Sequence, residues 1–337
     1  MSTPLESGPA AARTLGPGGP EVSRLCLGTS SWSRDRFGAG PVAALEAVLD
    51  AAAGRSAGVS DAAAGAPAIT FIDTSNEYGG GASENYLGDA IRRRGGLPAG
   101  MVLQTKLDRD PQTGSFAGER MRASLEESLT KLGLERVPML YLHDPELIGW
   151  DEAFAADGPV RALVEMRERG LVDAIGISGG PAPMLTRYVQ TGLFGAVITH
   201  NRYTLVDRSS QQLVDEAVSR GVSVVNAAVY GGGALARWPE PARSYAYRLA
   251  PAAMVHAIAD MGRACQLAGV SLAAAALQFS TRDARITSTI VGGNSVAQVQ
   301  AAIAADAEQI PAGLWAELDA LAPDPAVWQE PPGSVWP

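Results

Sequence analysis

Four residues able to exchange or tune a proton stand behind three short apolar runs of this 337-residue chain. Asp73 and Tyr78 follow Ala68-Ile69-Thr70-Phe71-Ile72, Lys106 follows Met101-Val102-Leu103-Gln104-Thr105, and His143 follows Val137-Pro138-Met139-Leu140-Tyr141-Leu142. A free phenol, with a pKa of about 10, exchanges protons poorly near neutrality. A neighbouring ammonium favours the phenolate, so Lys106 is expected to lower the pKa of Tyr78. Asp73 is expected to pair with Lys106 and keep it charged. His143, as an uncharged imidazole, would hydrogen-bond the same substrate oxygen. Together the four form an acid/base device for one oxygen atom, which suits interconversion of a carbonyl and an alcohol. None of them supplies a hydride, so the chemistry calls for a nicotinamide at the same place.

Each residue alone has a plainer reading: Asp73 as a loop starter, Tyr78 as a loop aromatic, Lys106 as a solvated strand end, His143 as a satisfied histidine. Their joint occurrence at three successive strand ends favours the chemical reading. A strand-end Lys106 acting as a Schiff base of an aldolase-type barrel is the alternative from another enzyme class. Its pairing with Asp73 argues for a charged, non-nucleophilic amine.

Residues so placed need a scaffold that converges strand ends. Eight apolar runs read as strands: Leu25 to Thr29, Ala68 to Ile72, Met101 to Thr105, Val137 to Leu142, Val172 to Ile177, Gly195 to Thr199, Val222 to Asn226 and Ile286 to Val291. Between them, helical periodicity covers Val42 to Ala53, Ser83 to Arg94, Gly118 to Leu132, Pro159 to Arg169, Pro183 to Gln190, Ser210 to Arg220, a double stretch from Ala252 to Arg282, and Val296 to Ala305. Ser83 is expected as an N-cap, and Gly170 and Gly221 as helix ends. Strands apolar on both faces belong in a parallel sheet covered by helices. Eight such units predict a (β/α)8 TIM barrel, with reactive groups at the C-terminal strand ends.

The expected organisation is a disordered N-terminal arm over residues 1–20, rich in Gly, Pro and Ala, a barrel over 21–322, and a C-terminal loop over 323–337 on the active-site face. The loop 54–67 is expected at the opposite end of the barrel. The segments 108–118, 230–251 and 322–337 carry Phe116, Trp238, Tyr245, Tyr247, Trp328 and Trp336, which are expected to shape a substrate pocket. Trp32, just past the first strand, reads either as a stacking surface for substrate or as a cap on the barrel. The triple glycine Gly231-Gly232-Gly233 would let backbone amides approach a pyrophosphate.

Composition narrows the class further. With 27 Lys and Arg against 36 Asp and Glu, the net charge is −9, which disfavours a nucleic-acid partner. The two cysteines, Cys26 and Cys265, read as buried free thiols, and the three histidines lack metal spacing, so no metal is expected. No apolar stretch or leader pattern suggests a membrane or export, and a cytoplasmic protein with a small-molecule substrate is expected.

Asp73-x-x-x-x-Tyr78, Lys106 and His143 in this order, with the segment from Tyr78-Gly79-Gly80-Gly81 to Tyr86-Leu87-Gly88, resemble the aldo-keto reductase family. Gly28-Thr29, Ser124 to Leu129 with Leu132-Gly133-Leu134, Gly170 to Ser178, and Ile290 to Ser295 add to the resemblance, which covers about residues 22 to 322. It implies an NAD- or NADP-dependent oxidoreductase with Tyr78 as general acid/base and Asp73, Lys106 and His143 around it. It further implies cofactor contacts from Thr29, Asp73, Ser178, His200, Tyr230, Gly231, Gly232, Gly292, Gly293, Asn294 and Gln298, and substrate contacts from Trp32, Tyr78 and His143. Leu142-His143-Asp144-Pro145, Asn201 to Asp207 and Val229 to Leu235 look most like the aldose 1-dehydrogenase branch, which oxidises the anomeric carbon of sugars to a lactone. A broad NADPH-dependent aldehyde and ketone reductase is the alternative, and a cofactor-binding subunit without turnover is a third reading. Where the family carries Asn, Gln and an aromatic around the nicotinamide, this chain has Gly179, His200 and Ala227. No Lys or Arg lies between Gly292 and Gln298 for a 2′-phosphate, so NAD is the expected cofactor.

Overall fold

The computed structural model describes residues 13–32, 38–55 and 68–336. Eight parallel strands close into a barrel: β1 Leu25–Gly28, β2 Ile69–Asp73, β3 Val102–Leu107, β4 Val137–His143, β5 Val172–Gly179, β6 Ala196–His200, β7 Ser223–Ala227 and β8 Ile286–Gly292. Closure is made by β8 against β1, with Ile290 opposite Cys26. All eight expected strands are present, and the predicted (β/α)8 TIM barrel is observed.

The strands are apolar on both faces because each face meets a different core. One face of the sheet, with Cys26, Phe71, Met139, Tyr141, Ile198, Val225 and Ile290, forms the barrel core. Gly176 makes room for the Tyr141 ring there: a Cβ at Gly176 would lie 2.3 Å from it. The other face packs against the helices α1 Gly40–Ala52, α2 Ala82–Arg94, α3 Gly118–Leu132, α4 Pro159–Glu168, α5 Ala182–Gln190 and α6 Gln211–Ser219, and, past α7 Ala252–Leu267, which packs on the next helix rather than on the sheet, against α8 Leu272–Thr281 and α9 Val296–Ala307. A further helix, α10 Ala312–Ala320, buries Leu314 and Leu318 against the α7 and α8 cluster. It lies beyond the last repeat unit, where barrel periodicity makes no demand. Among the described residues, no single helix is long and apolar enough to cross a membrane.

Two local expectations are corrected. Residues 13–20 are not a disordered arm: Arg13–Thr14 pairs antiparallel with Glu21–Val22, and Leu15 and Val22 join the barrel core. Leu15 is an apolar plug inside a Gly- and Pro-rich segment whose composition masked it; residues 1–12 lie outside the described residues, as does most of the loop expected at 54–67. Ser83 is not an N-cap. Gly81 takes that position with φ of 87°, and the buried Ser83 hydroxyl bonds Thr29 Oγ1 at 2.6 Å and Thr74 Oγ1 at 2.8 Å. Helix α2 is thereby tied to the ends of β1 and β2. Gly170 and Gly221 end their helices as expected, with φ of 70° and 71°.

Gly88 on α2 lies against the end of α3, where a Cβ would stand 1.9 Å from the carbonyl oxygen of Lys131. Gly88→Ala should therefore push α2 off α3 and cost about 1–3 kcal/mol, measurable as a lowered denaturation midpoint with an unchanged denaturant slope.

Candidate active site

Strands β2, β3 and β4 are consecutive hydrogen-bonded neighbours, with Asp73 opposite Gln104 and Lys106 opposite Tyr141. Their C-terminal ends therefore bring Asp73, Lys106 and His143 to one mouth of the barrel, and the turn after β2 swings Tyr78 over them. Lys106 Nζ donates to Asp73 Oδ1 and Oδ2 at 2.8 and 2.9 Å and to the Thr74 carbonyl at 2.8 Å. It also reaches Tyr78 OH at 2.9 Å. Gln104 Nε2 adds a bond of 2.8 Å to Asp73 Oδ1. The Lys106 and Asp73 side chains are only 1% and 3% exposed, so each charge depends on the other.

The electrostatics differ from the sequence expectation at two residues. Burial opposes the charge on Lys106, yet Asp73 and Tyr78 outweigh it and hold its pKa above the ordinary lysine value. Burial also dominates at Tyr78, with Asp73 and Asp108 acting in the same sense, so its pKa is raised despite Lys106. The expected lowering of Tyr78 does not occur, because burial of the phenol outweighs the attraction of Lys106. His143 is the second correction. Burial lowers its pKa, but the charges of Asp108 and Asp144 outweigh burial and raise it above the usual histidine value, favouring the imidazolium over the neutral ring.

Tyr78 and His143 meet edge to face, with ring centroids 5.6 Å apart, and both line a cleft of about 290 Å³. Ser30, Glu77, Asp144 and Arg109 give it polar walls, and Phe116 and Leu147 apolar ones. Of the six aromatics expected to shape a pocket, only Phe116 lines this cleft. Trp238 packs on Gly262 of α7, Tyr245 is buried with its hydroxyl donating to the Asn201 carbonyl at 2.7 Å, and Tyr247 is exposed. Trp32 is corrected as well: it is fully buried in the core, and its indole N–H donates to the Gly293 carbonyl at 3.0 Å. Its ring therefore has no face for a substrate.

The residues singled out for a cofactor fall into four groups. Thr29 and Asp73 are buried, with Thr29 Oγ1 donating to the Asp73 carbonyl at 2.8 Å. Ser178 and His200 end β5 and β6, and burial together with Arg202 lowers His200 to a pKa of about 4, which keeps it neutral. Gly292, Gly293 and Asn294 lead into α9, where Asn294 N–H donates to Gln298 Oε1 at 2.8 Å. Gly231, Gly232 and Gly233 follow β7 with φ of 58°, 73° and 95°, a conformation that favours glycine. Tyr230, half-buried, precedes them, and burial pushes its hydroxyl up to about 12.

Sequence reasoning missed several members of this mouth. Asp108 Oδ1 lies 2.6 Å from His143 Nδ1, and Ser75 Oγ bonds both Asp108 and His143. Strand alternation was the available signal, since Lys106 and Asp108 are two residues apart and share a face. Glu146 fills the space beside Gly179: a Cβ there would stand 2.7 Å from Glu146 Oε2. Glu146 Oε1 accepts the Gly180 N–H at 3.0 Å, while its buried Oε2 has no partner among the described residues. The C-terminal segment also returns to this end. Arg202, two residues past β6, binds Glu330 at 2.6 Å, and Gln329 N–H donates to Asp207 Oδ2 at 2.8 Å.

Comparison with known proteins agrees with this architecture. The model of the aldo/keto reductase family matches residues 24–323. The chain is 33% identical over 275 residues to D-threo-aldose 1-dehydrogenase of a Pseudomonas species, covering 74% of this chain and 83% of that one. It is 30% identical over 276 residues to L-galactose dehydrogenase of Arabidopsis thaliana, covering 80% and 83%. Among solved structures, the holo form of aldo-keto reductase AKR11C1 from Bacillus halodurans superposes with a TM-score of 0.73 at 20% identity, over 97% of this chain and 98% of that one. With a barrel of this topology and a family match across nearly the whole described chain, the protein belongs to the aldo-keto reductase family of oxidoreductases.

Proposed function

We propose that this enzyme oxidises the anomeric carbon of a small aldose to a lactone with NAD, using Tyr78 as the general acid/base. The observation that carries this reading is the buried Lys106, which binds Asp73 on one side and Tyr78 OH at 2.9 Å on the other, beside a cleft that also holds His143. Tyr78 exchanges the proton of the substrate oxygen, Lys106 and Asp73 hold the phenol in place, and His143 orients the oxygen. The polar cleft walls suit a polyhydroxylated substrate, and the similarity to two sugar dehydrogenases supports the same class.

A bound nicotinamide supplies the hydride exchange. Two features of the chain fit such a group. The unpartnered Glu146 Oε2 would accept an amide N–H at the ends of β4 and β5, and the Gly292-Gly293-Asn294 turn leads into the N-terminus of α9, where phosphate charge is stabilised. The turn offers no cation for a 2′-phosphate, which supports NAD over NADP.

The raised affinity of Tyr78 for its proton sets the pH dependence. Oxidation requires Tyr78 to accept a proton, so its rate should climb with pH across the neutral to alkaline range, whereas Tyr78 stays protonated there and does not itself limit reduction. A panel of aldoses and aromatic aldehydes, assayed at 340 nm with each nicotinamide, tests the reading. The expected result is turnover of an aldose with NAD, with a higher KM for NADP. Aromatic aldehydes reduced with NADPH in preference would overturn it in favour of a general carbonyl reductase, a reading to which the Phe116 and Leu147 walls lend themselves.

A further inference from the structure

We propose that Asp108 is a positioning residue that holds His143 through Nδ1 as a charged, oriented donor, so that its Nε2–H bears on the oxygen with which Tyr78 exchanges its proton. The inference rests on the reading of Tyr78 given above.

The geometry is specific. Asp108 Oδ1 lies 2.6 Å from His143 Nδ1, within the range of charge-assisted bonds. The other carboxylate oxygen, Oδ2, accepts the Glu77 backbone N–H at 2.9 Å and the Ser75 hydroxyl. The Asp108 backbone is pinned by α3: its N–H donates to Ser124 Oγ at 3.0 Å, and Arg120 Nε donates to its carbonyl at 3.3 Å. A carboxylate with this many donors is held ionised and still, and Nδ1 must be protonated to meet it. The remaining nitrogen, Nε2, is 3.6 Å from Asp144 Oδ1 and free to donate into the cleft.

Charged and titratable groups face His143 from every side of the mouth. Lys106 and Arg109 stand on β3 and the loop after it, Glu77 and Tyr78 on the turn after β2, Asp144 and Glu146 beyond β4, and His200 at the end of β6. Lys106 is compensated by Asp73, which leaves the Asp108 and Asp144 carboxylates as the strongest charges acting on the ring against its burial. In reduction, hydride adds to the carbon and the Tyr78 proton passes to the oxygen; His143 keeps its own proton and stabilises the charge developing at that oxygen.

The test reads the ring directly. The chain has three histidines, so nitrogen-15 NMR of the full-length enzyme, with His143→Gln for assignment, follows His143 as pH is varied. The wild-type ring is expected to carry a proton on Nδ1 throughout and to remain doubly protonated to higher pH than a free histidine. In Asp108→Asn its titration should move to lower pH, and the alkaline limb of the reduction rate should move with it. At neutral pH kcat should fall on the order of tenfold or more, with KM less affected. A wild-type ring that is neutral at pH 7 with Nδ1 bare would overturn the proposal, as would a titration unaltered in Asp108→Asn. If Asp108→Asn fails to fold, the wild-type spectrum alone decides. Absence of turnover on every carbonyl and aldose would instead overturn the reading of the Tyr78 site, an outcome distinct from the histidine spectrum.

Discussion

Tyr78→Phe is expected to lower kcat by about 10² to 10⁴ while leaving the barrel folded. The ring stays, so its edge-to-face contact with His143 and its packing over Lys106 are retained; only the hydroxyl at 2.9 Å from Lys106 Nζ is lost. Lys106 keeps both Asp73 oxygens and the Thr74 carbonyl, which are three partners for three ammonium protons. Circular dichroism and the thermal midpoint should therefore match the unaltered enzyme, and nicotinamide binding followed by fluorescence should persist. Undiminished turnover in this variant would remove Tyr78 from the chemistry and with it the proposed mechanism.

Lys106→Met should have the largest combined effect, on stability as well as rate. Methionine fills similar space but strands the Asp73 carboxylate, 3% exposed, with Gln104 as its remaining side-chain donor. Removing one partner of a buried ion pair costs about 3–5 kcal/mol, a large share of a domain's net stability. Urea denaturation of the variant beside the unaltered enzyme would measure the loss. A variant as stable as the parent at neutral pH would show that the pair contributes only placement. Asp73 and Lys106 thus join two roles: the mouth of the barrel is held together by the same ion pair that seats Tyr78.

Much of this site is legible in the sequence. Asp73, Lys106 and His143 sit at strand ends that apolar runs reveal, and parallel strands in sequence order become neighbours, so their convergence followed from topology alone. The electrostatic state did not. The effect of Lys106 on Tyr78 depends on how far burial and the Asp73 charge offset it, and the state of His143 depends on Asp108, whose side chain meets the ring only when β3 and β4 pair. Trp32 shows a similar limit. A tryptophan after the first strand reads equally well as a stacking platform or as a cap on the barrel, and only the packing, with its N–H on Gly293, decides.

The alternation of apolar runs with amphipathic stretches was sufficient by itself to determine the eightfold barrel and the strand ends at which Asp73, Tyr78, Lys106 and His143 gather, because these depend on periodicity and chain order. Only the tertiary structure decided which charges neutralise one another, that Glu146 occupies the space beside Gly179, and that Leu15 plugs the barrel core. Those outcomes depend on distances of a few ångströms between residues far apart in the chain, across which both Coulomb energies and steric fit change steeply.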